Sequence, residues 1–467
     1  MIHAEPAAHR MPATALPAQS IAARLGIVAA PALLALASLI VYALAVPLAP
    51  RLALVLHLGA VAARGNGFAL GWLTHVALYA ADAAAGSAGA TTLGALALFG
   101  LVAFVFARAR LRAGTTLALG AALFALFTCF DAARLGGGAP AWLGAAAYLY
   151  ALERSPRRSA WFAPAIALVW CNACAAGVLA PVLAVLFAFG RIFATREVTA
   201  GRPYWPLALA SAVALLLTPA GFGYPAQALA ALHFDEQFGR VLPIAPAVGA
   251  PHVYRLATTL VLLGAAWLWA GRKRAVDAPL VLAAFGLCFF DGAFVPLLGI
   301  VAGPAFAAAA SAGDERIAAP RRGEAFAALA AACFVVLAGL AALPHAPLQA
   351  ATNAAPRALF DRLAASGGPH VVLCGTVAWC DYAETYPGLR PFVDERVELA
   401  TLAQLRAQEK IGRSRAGWHE ALRAGHVDAL IVSTNAAIAQ LAPAMRGWRR
   451  VAADGEATLF VRDGSTR

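Results

Sequence analysis

The chain has little charge. Of its 467 residues only 13% are Asp, Glu, Lys or Arg, while 61% are hydrophobic and mean hydropathy is +0.72. A soluble domain carries about 25% charged and 45–50% apolar residues. This chain therefore has too little polar surface to be soluble throughout. It also lacks GxGxxG, P-loop, HExxH and GxSxG patterns, so nothing supports a nucleotide site or the common hydrolase chemistries. Cysteine is sparse, and Cys129, Cys171, Cys174, Cys288 and Cys333 lie in apolar runs, where Cys acts as a small hydrophobe. Cys171 and Cys174 form a CxxC with no second one to complete a zinc site. Cys374 and Cys380 fall in a more polar terminal region, where a disulfide is possible if that region is extracytoplasmic.

What the chain does have is a series of apolar runs near the roughly 20 residues needed to cross a bilayer. The fold class expected is a polytopic α-helical membrane protein. The net charge of +12 sits in short loops between the runs, which is a topology signal and not a nucleic-acid footprint. No nucleic-acid partner is expected.

Residues 1–24, rich in Pro and Ala, read as a disordered cytoplasmic tail. Residues 25–48 read as the first span, retained because the run exceeds the about 7–15 residues of a signal core. The loops RARLR (108–112), ERSPRR (153–158), 191–202, RKR (272–274) and 314–322 are basic and short, so all are expected on the cytoplasmic side. Between them lie expected spans at 91–107, 115–131, 139–152, 204–219, 256–270, 278–291, 293–311 and 324–343. Residues 160–190 must cross twice or re-enter, turning near Cys171–Cys174. The total is about eleven spans, with the N-terminus inside and the C-terminus outside. Parity then keeps residues 51–86 external, as juxtamembrane helices in the interface or as a re-entrant hairpin.

Residues 25–345 thus form the membrane domain. From Pro356 charges become frequent and short strand and helix patterns alternate, as in HVVLC (370–374), VDALIV (427–432) and ATLFV (457–461). Residues 356–467 are expected to fold as a small α/β domain.

Several groups could carry chemistry. Trp72, His75, Tyr79 and Asp82 are spaced three, four and three apart, so a helix would set them on one face. That face suits an acceptor pocket, or an interfacial anchor of Trp and Tyr. Asp131 ends a span beside Arg134 and a Gly-rich turn, and Asp291 sits at another external turn. Carboxylates near a membrane boundary are candidates for function. Asn172 could donate to a substrate phosphate or cap a broken helix. His233, Asp235 and Glu236 form a loose HFDE cluster that makes a divalent cation conceivable. Asp394, Glu395 and Arg396 end a terminal-domain strand, where open α/β sheets bind ligands.

The plan resembles the GT-C membrane proteins of bacteria, relatives of the protein mannosyltransferases and lipid-A sugar transferases. Three stretches carry the resemblance: LVWCNACAAG (168–177), LTPAG (217–221), and DYAETYPGLRPFVDERV from Asp381 with the GW, VDALIV, W and ATLFVR that follow. Cys174 stands where a His is usual, and Thr218 stands where an Asn is usual. The resemblance implies an inner-membrane enzyme whose terminal domain is periplasmic. Its activity would be sugar transfer from a polyprenyl-phosphate donor to an external acceptor in envelope biogenesis. A carboxylate after the first span would be base or metal ligand, and basic groups would meet the donor phosphate. Here residues 54–59 (LVLHLG) offer His57 and no carboxylate. The implied base is then Asp82, Asp131 or His57, with Arg64 or Arg134 on the phosphate. The alternative is a non-catalytic membrane scaffold or lipid-binding protein of the same fold. A transporter fits less well, because the charged residues gather at span ends and not at the midplane.

Overall fold

The computed structural model describes residues 29–40, 52–64, 70–129, 138–154, 156–232, 277–290, 294–311, 356–375, 377–393 and 400–463. The N-terminal tail, Asp131, Arg134, the HFDE cluster, the spans expected at 256–270 and 324–343, Asp291 and Asp394–Arg396 lie outside the described residues.

The helical part runs as α1 (Ala29–Ile40), α2 (Leu52–Ala63), α3 (Trp72–Ala85), α4 (Ser87–Arg110), α5 (Thr115–Thr128), α6 (Gly138–Arg154), α7 (Pro156–Ala173), α8 (Ala180–Thr195), α9 (Trp205–Leu216), α10 (Tyr224–Leu232), α11 (Ala278–Phe290) and α12 (Val295–Ala310). Ala and Leu dominate these segments, and they are the strongest helix formers. Within residues 51–86, α2 and α3 pack as a helical pair: Gly59 of α2 lies against the His75 carbonyl and the Tyr79 Cβ, where no side chain would fit. Gly86, at φ 62°, then turns α3 into α4, a conformation glycine adopts without strain.

By length and composition, 88–110 and 175–195 are each able to cross a membrane. The pair 198–216 and 221–229, bent by 114°, makes a third if it is one crossing. Among the described residues these two or three are far fewer than the expected eleven, of which 256–270 and 324–343 lie outside the described residues. Other apolar helices, such as Thr115–Thr128 and Val295–Ala310, span only about 20–24 Å at 1.5 Å per residue, short of a hydrocarbon core of about 30 Å. Proline and glycine cut the apolar runs. The run expected to reach residue 219 stops as helix at Leu216, just before Thr218–Pro219, because proline has no N–H and restricts the residue before it.

The outer surface is apolar in stripes. Leu209, Val213 and Leu217 recur every four residues along α9 and its C-cap, and Val182, Phe189 and Phe193 follow at spacings of seven and four on α8; Leu209 is 69% exposed. A helix facing water carries polar residues on its outer face. This exterior suits hydrocarbon.

One end of the helical part is charged inside. Arg108 Nε donates to Glu153 Oε2 at 2.9 Å and Nη2 to Asp277 Oδ1 at 3.3 Å. Arg112 pairs with the same two carboxylates. All four side chains are 11% exposed or less. Arg108 Nη1 also donates to the Ile300 carbonyl at 3.2 Å. That carbonyl has no helical donor, because Pro304, four residues on, lacks an N–H. Charge patterning alone marks RARLR and ERSPRR as solvated loops. Instead the end of α4, the end of α6 and the start of α11 meet in one buried ion cluster.

The C-terminal part has β1 (His370–Cys374), β2 (Leu389–Pro391), β3 (Ala429–Ser433), β4 (Trp448–Ala453) and β5 (Ala457–Arg462), ordered β2-β1-β3-β5-β4. The first three are parallel, and β5 runs antiparallel to β3 and β4. On one face α13 (Arg357–Ala365) and α14 (Val377–Ala383) cover Val372, Cys374, Ile431 and Leu459. On the other, α15 (Leu402–Gly412), α16 (Trp418–Ala424) and α17 (Ala437–Leu441) cover Leu373, Leu430, Val432 and Phe460. Thr401 and Gln404 start α15 with a reciprocal capping box. The expected α/β domain is present. Helix α13 had no sequence expectation; PFVDERV (391–397) reads from the sequence as a strand or extended segment, and of it only 391–393 are among the described residues, with β2 ending at Pro391.

Candidate functional site

Two helix breaks in the sequence come together at the end of the bundle away from the ion cluster. WCNAC ends α7: Cys174 is extended at φ −169°, ψ 163°, and a 3₁₀ turn at Ala175–Leu179 leads into α8. LTPAG ends α9, where the Thr218 hydroxyl donates to the Leu215 carbonyl at 3.1 Å. Tyr224, one turn later, donates its O–H to the Cys174 carbonyl at 2.9 Å. The start of α3 closes the third side. Trp72 Nε1 donates to Asn172 Oδ1 at 2.7 Å, Thr74 Oγ1 to the Ala173 carbonyl at 2.7 Å, and Asn172 Nδ2 to the Leu168 carbonyl at 2.9 Å. These bonds leave a small open cleft whose lining includes Trp72, Cys171, Thr218, Pro219, Tyr224 and Gln227. At its rim Phe222, between Gly221 and Gly223, is 88% exposed. The lining offers an indole, hydroxyls and an amide, and no charged side chain. It can stack on and hydrogen-bond a neutral polar ligand beside an apolar chain, but it supplies no proton carrier of its own.

The expected residues are distributed unevenly around this cleft. Trp72 and Asn172 are brought together. Asn172 is not a free amide awaiting a phosphate: it is 8% exposed, its oxygen is taken by Trp72 and an N–H by Leu168. Trp72, His75, Tyr79 and Asp82 lie on the one helix α3 and share a face as expected, but at different heights: Trp72 at its start bonds α7, while Gly59 of α2 packs against the His75 carbonyl and the Tyr79 Cβ further along. Asp82 lies in the second half of α3, half-buried, and its main-chain carbonyl accepts from Gly86 N–H at 2.6 Å. His57 is half-buried on α2, and Arg64 is exposed just beyond that helix. Cys174, at the position where the resemblance expects histidine, donates its thiol to the Trp170 carbonyl at 3.7 Å. Thr74, Tyr224 and Gln227 carried no sequence signal of their own. Arg108, Glu153 and Asp277 did, because ionisable groups next to apolar spans normally find partners.

The terminal domain holds an arrangement that looks catalytic. His370, fully buried, has Nε2 3.2 Å from Ser366 Oγ and Nδ1 3.6 Å from Asp428 Oδ1. The proton polarity is wrong for a nucleophile, however. The Ser366 hydroxyl donates to the Leu363 carbonyl at 2.6 Å, so His370 Nε2 must donate to serine and cannot take its proton. Asp428 in turn accepts from Val371 N–H at 2.8 Å. Burial holds Asp428 above the usual carboxylate range, while His370 and the Val371 N–H pull it back down. The trio ties α13 to β1 and β3.

Cys374 and Cys380 are free buried thiols in place of the possible disulfide. Burial, together with the adjacent Cys380 thiol, pushes the Cys374 thiol well up. Among the described residues no three His, Cys, Asp or Glu side chains gather to hold a metal ion. No family model matches the chain, and no curated protein matches it.

Proposed function

We propose that the chain is a GT-C-like membrane protein that transfers a sugar from a polyprenyl-phosphate donor to an acceptor outside the inner membrane. The observation that carries this reading is the meeting of two of the three stretches of resemblance. WCNAC and LTPAG, far apart in the chain, form two walls of one cleft, and Trp72 from the helices after the first span forms the third. The apolar rim at Phe222 and Leu217 fits a polyprenyl chain, and the Trp72 indole fits the face of a sugar. Asp82 or Asp131 supplies the general base for the acceptor hydroxyl, and Arg64 or Arg134 meets the donor phosphate. The about eleven spans and the periplasmic position of the terminal domain belong to the same reading.

The test is complementation of a deletion strain, scored by its envelope glycans and glycolipids. Wild type restores the missing product, whereas Asp82→Asn or Asp131→Asn does not. Full rescue by both single variants and by the double variant removes the carboxylates from the mechanism. One observation favours a second reading, a lipid-binding scaffold without catalysis: the described lining of the cleft holds no carboxylate, imidazole or cationic side chain. In that case the double carboxylate variant rescues, and bulky substitution at Gly71, which sits against the Ala173 carbonyl, does not.

A further inference from the structure

Exposed aromatic side chains gather at the charged end of the bundle. Helix α7 starts at that end, α8 ends there and α9 starts there, because the opposite ends of all three meet at the cleft. Trp161 and Phe162 lie in the second turn of α7 and are 83% and 64% exposed. Phe193, in the last turn of α8, and Trp205, the first residue of α9, are exposed as well. At about 1.5 Å per residue, each of the four falls within about 9 Å of its helix end. Phe189 links two of them: its ring centre lies 6.5 Å from that of Phe193 and 5.6 Å from that of Trp205, edge-on to the indole. Helix α9 packs on both α7 and α8, so the rings mark one level of a three-helix wall. Beyond them, the 3₁₀ turn between α8 and α9 carries Val198, 76% exposed, between the exposed Arg196 and Arg202. The unbroken stretch 191–205 holds three arginines and one acid, Glu197. Towards the cleft the outer face of the same wall becomes aliphatic, with Val169 on α7, Val182 on α8 and Leu209 and Val213 on α9. Aliphatic groups, then aromatic rings, then arginines is the order met on passing from hydrocarbon into the headgroups of a leaflet. A protein interface is arranged differently, with aromatic anchors at its centre and a polar rim around them.

We propose that Trp161, Phe162, Phe193, Val198 and Trp205 seat the charged end of the bundle in the interface of a bilayer leaflet, and that Arg196 and Arg202 bind the phosphates of anionic lipids there. The rings supply the amphipathic surface that settles at headgroup level. The two guanidiniums, held just outside the rings, meet the negative surface of the leaflet. The partner is a lipid surface. Neither the cleft at the other end nor any transferase activity enters into it.

The full chain is reconstituted into phosphatidylcholine nanodiscs, and its tryptophan fluorescence is quenched by lipids carrying a nitroxide either at the headgroup or deep in the acyl chain. The chain has ten tryptophans, so Trp161 and Trp205 are read by difference against Trp161→Phe and Trp205→Phe. Both tryptophans are expected to be quenched roughly twofold or more strongly by the headgroup label than by the deep one. Trp161 is so exposed that Trp161→Phe removes little packing, and it carries the depth measurement by itself if Trp205→Phe folds poorly. In a second series, brominated phosphatidylglycerol is compared with brominated phosphatidylcholine at equal mole fraction. Trp205 is quenched more strongly by phosphatidylglycerol. The double variant Arg196→Gln/Arg202→Gln brings the two lipids to parity while its depth profile stays that of wild type. The proposal is overturned if neither tryptophan is quenched by either label, which assigns the patch to water, to a second copy of the chain or to another protein. It is overturned equally if the deep label quenches them as strongly as the headgroup label, or if a preference for phosphatidylglycerol is absent or survives the double variant.

Discussion

The two ends of the helical bundle are held by different chemistry. At one end four buried charged side chains, Arg108, Arg112, Glu153 and Asp277, lock the ends of α4 and α6 to the start of α11. At the other, neutral hydrogen bonds from Trp72, Thr74 and Tyr224 clasp the WCNAC turn. A buried ion cluster tolerates little change, because removing one member strands the others without solvent. A neutral clasp loses only the bonds removed. Removing one member of the charged end is therefore expected to cost more than removing one bond of the neutral clasp.

That contrast can be broken by mutation. Glu153→Ala leaves Arg108 and Arg112 half-matched and is expected to cost about 3–5 kcal/mol, the range for breaking a buried pair, read as a fall in the unfolding midpoint of the purified chain. Asn172→Ala removes the acceptor of Trp72 and is expected to cost about 1–3 kcal/mol, the desolvation cost of one unpaired buried donor. If the second variant is as damaging as the first, the two ends are not distinct in stability. Asp428→Asn sharpens the role of charge in the terminal domain. Because burial raises the Asp428 carboxyl, its contribution to stability is fully present below the unfolded carboxylate range and is lost as pH rises through its elevated folded value. The asparagine variant, which still accepts from Val371 N–H, should protect β1 and β3 from hydrogen exchange better than wild type at neutral pH. The two should converge at acid pH. The smallest effect is expected at Glu409. Its partners Arg413 and Arg415 are more than half exposed, so Glu409→Gln should shift the midpoint by no more than about 0.5 kcal/mol, and less in high salt.

The terminal domain was largely legible in the sequence. Short β-branched runs such as HVVLC and VDALIV alternate with amphipathic helices, and water on its outside keeps the apolar and polar positions distinct. Helix α13 was missed because Pro356 reads only as a boundary, although Leu359, Phe360 and Leu363 form its buried stripe. In the helical part the apolar exterior erases that distinction. The stripe at Leu209, Val213 and Leu217 faces outward and the one at Leu207, Ala208 and Leu215 inward, and composition does not separate them. Span lengths suffered for the same reason, since Ala-rich runs continue through breaks at Pro and Gly.

Composition, Arg-rich loops and the change at Pro356 were enough to establish an apolar helical body followed by an α/β domain, because solvent preference is written residue by residue. Which polar residues meet is decided only by the tertiary structure. Trp72 finds Asn172 a hundred residues away, and Arg108 finds Asp277 at a still greater separation. Those pairings depend on how helices of unequal length pack, and no local pattern encodes that. His57 and Asp82 stand near each other in the sequence as rival bases. The fold sets both outside the lining of the cleft, and only the Trp72 end of that stretch reaches it.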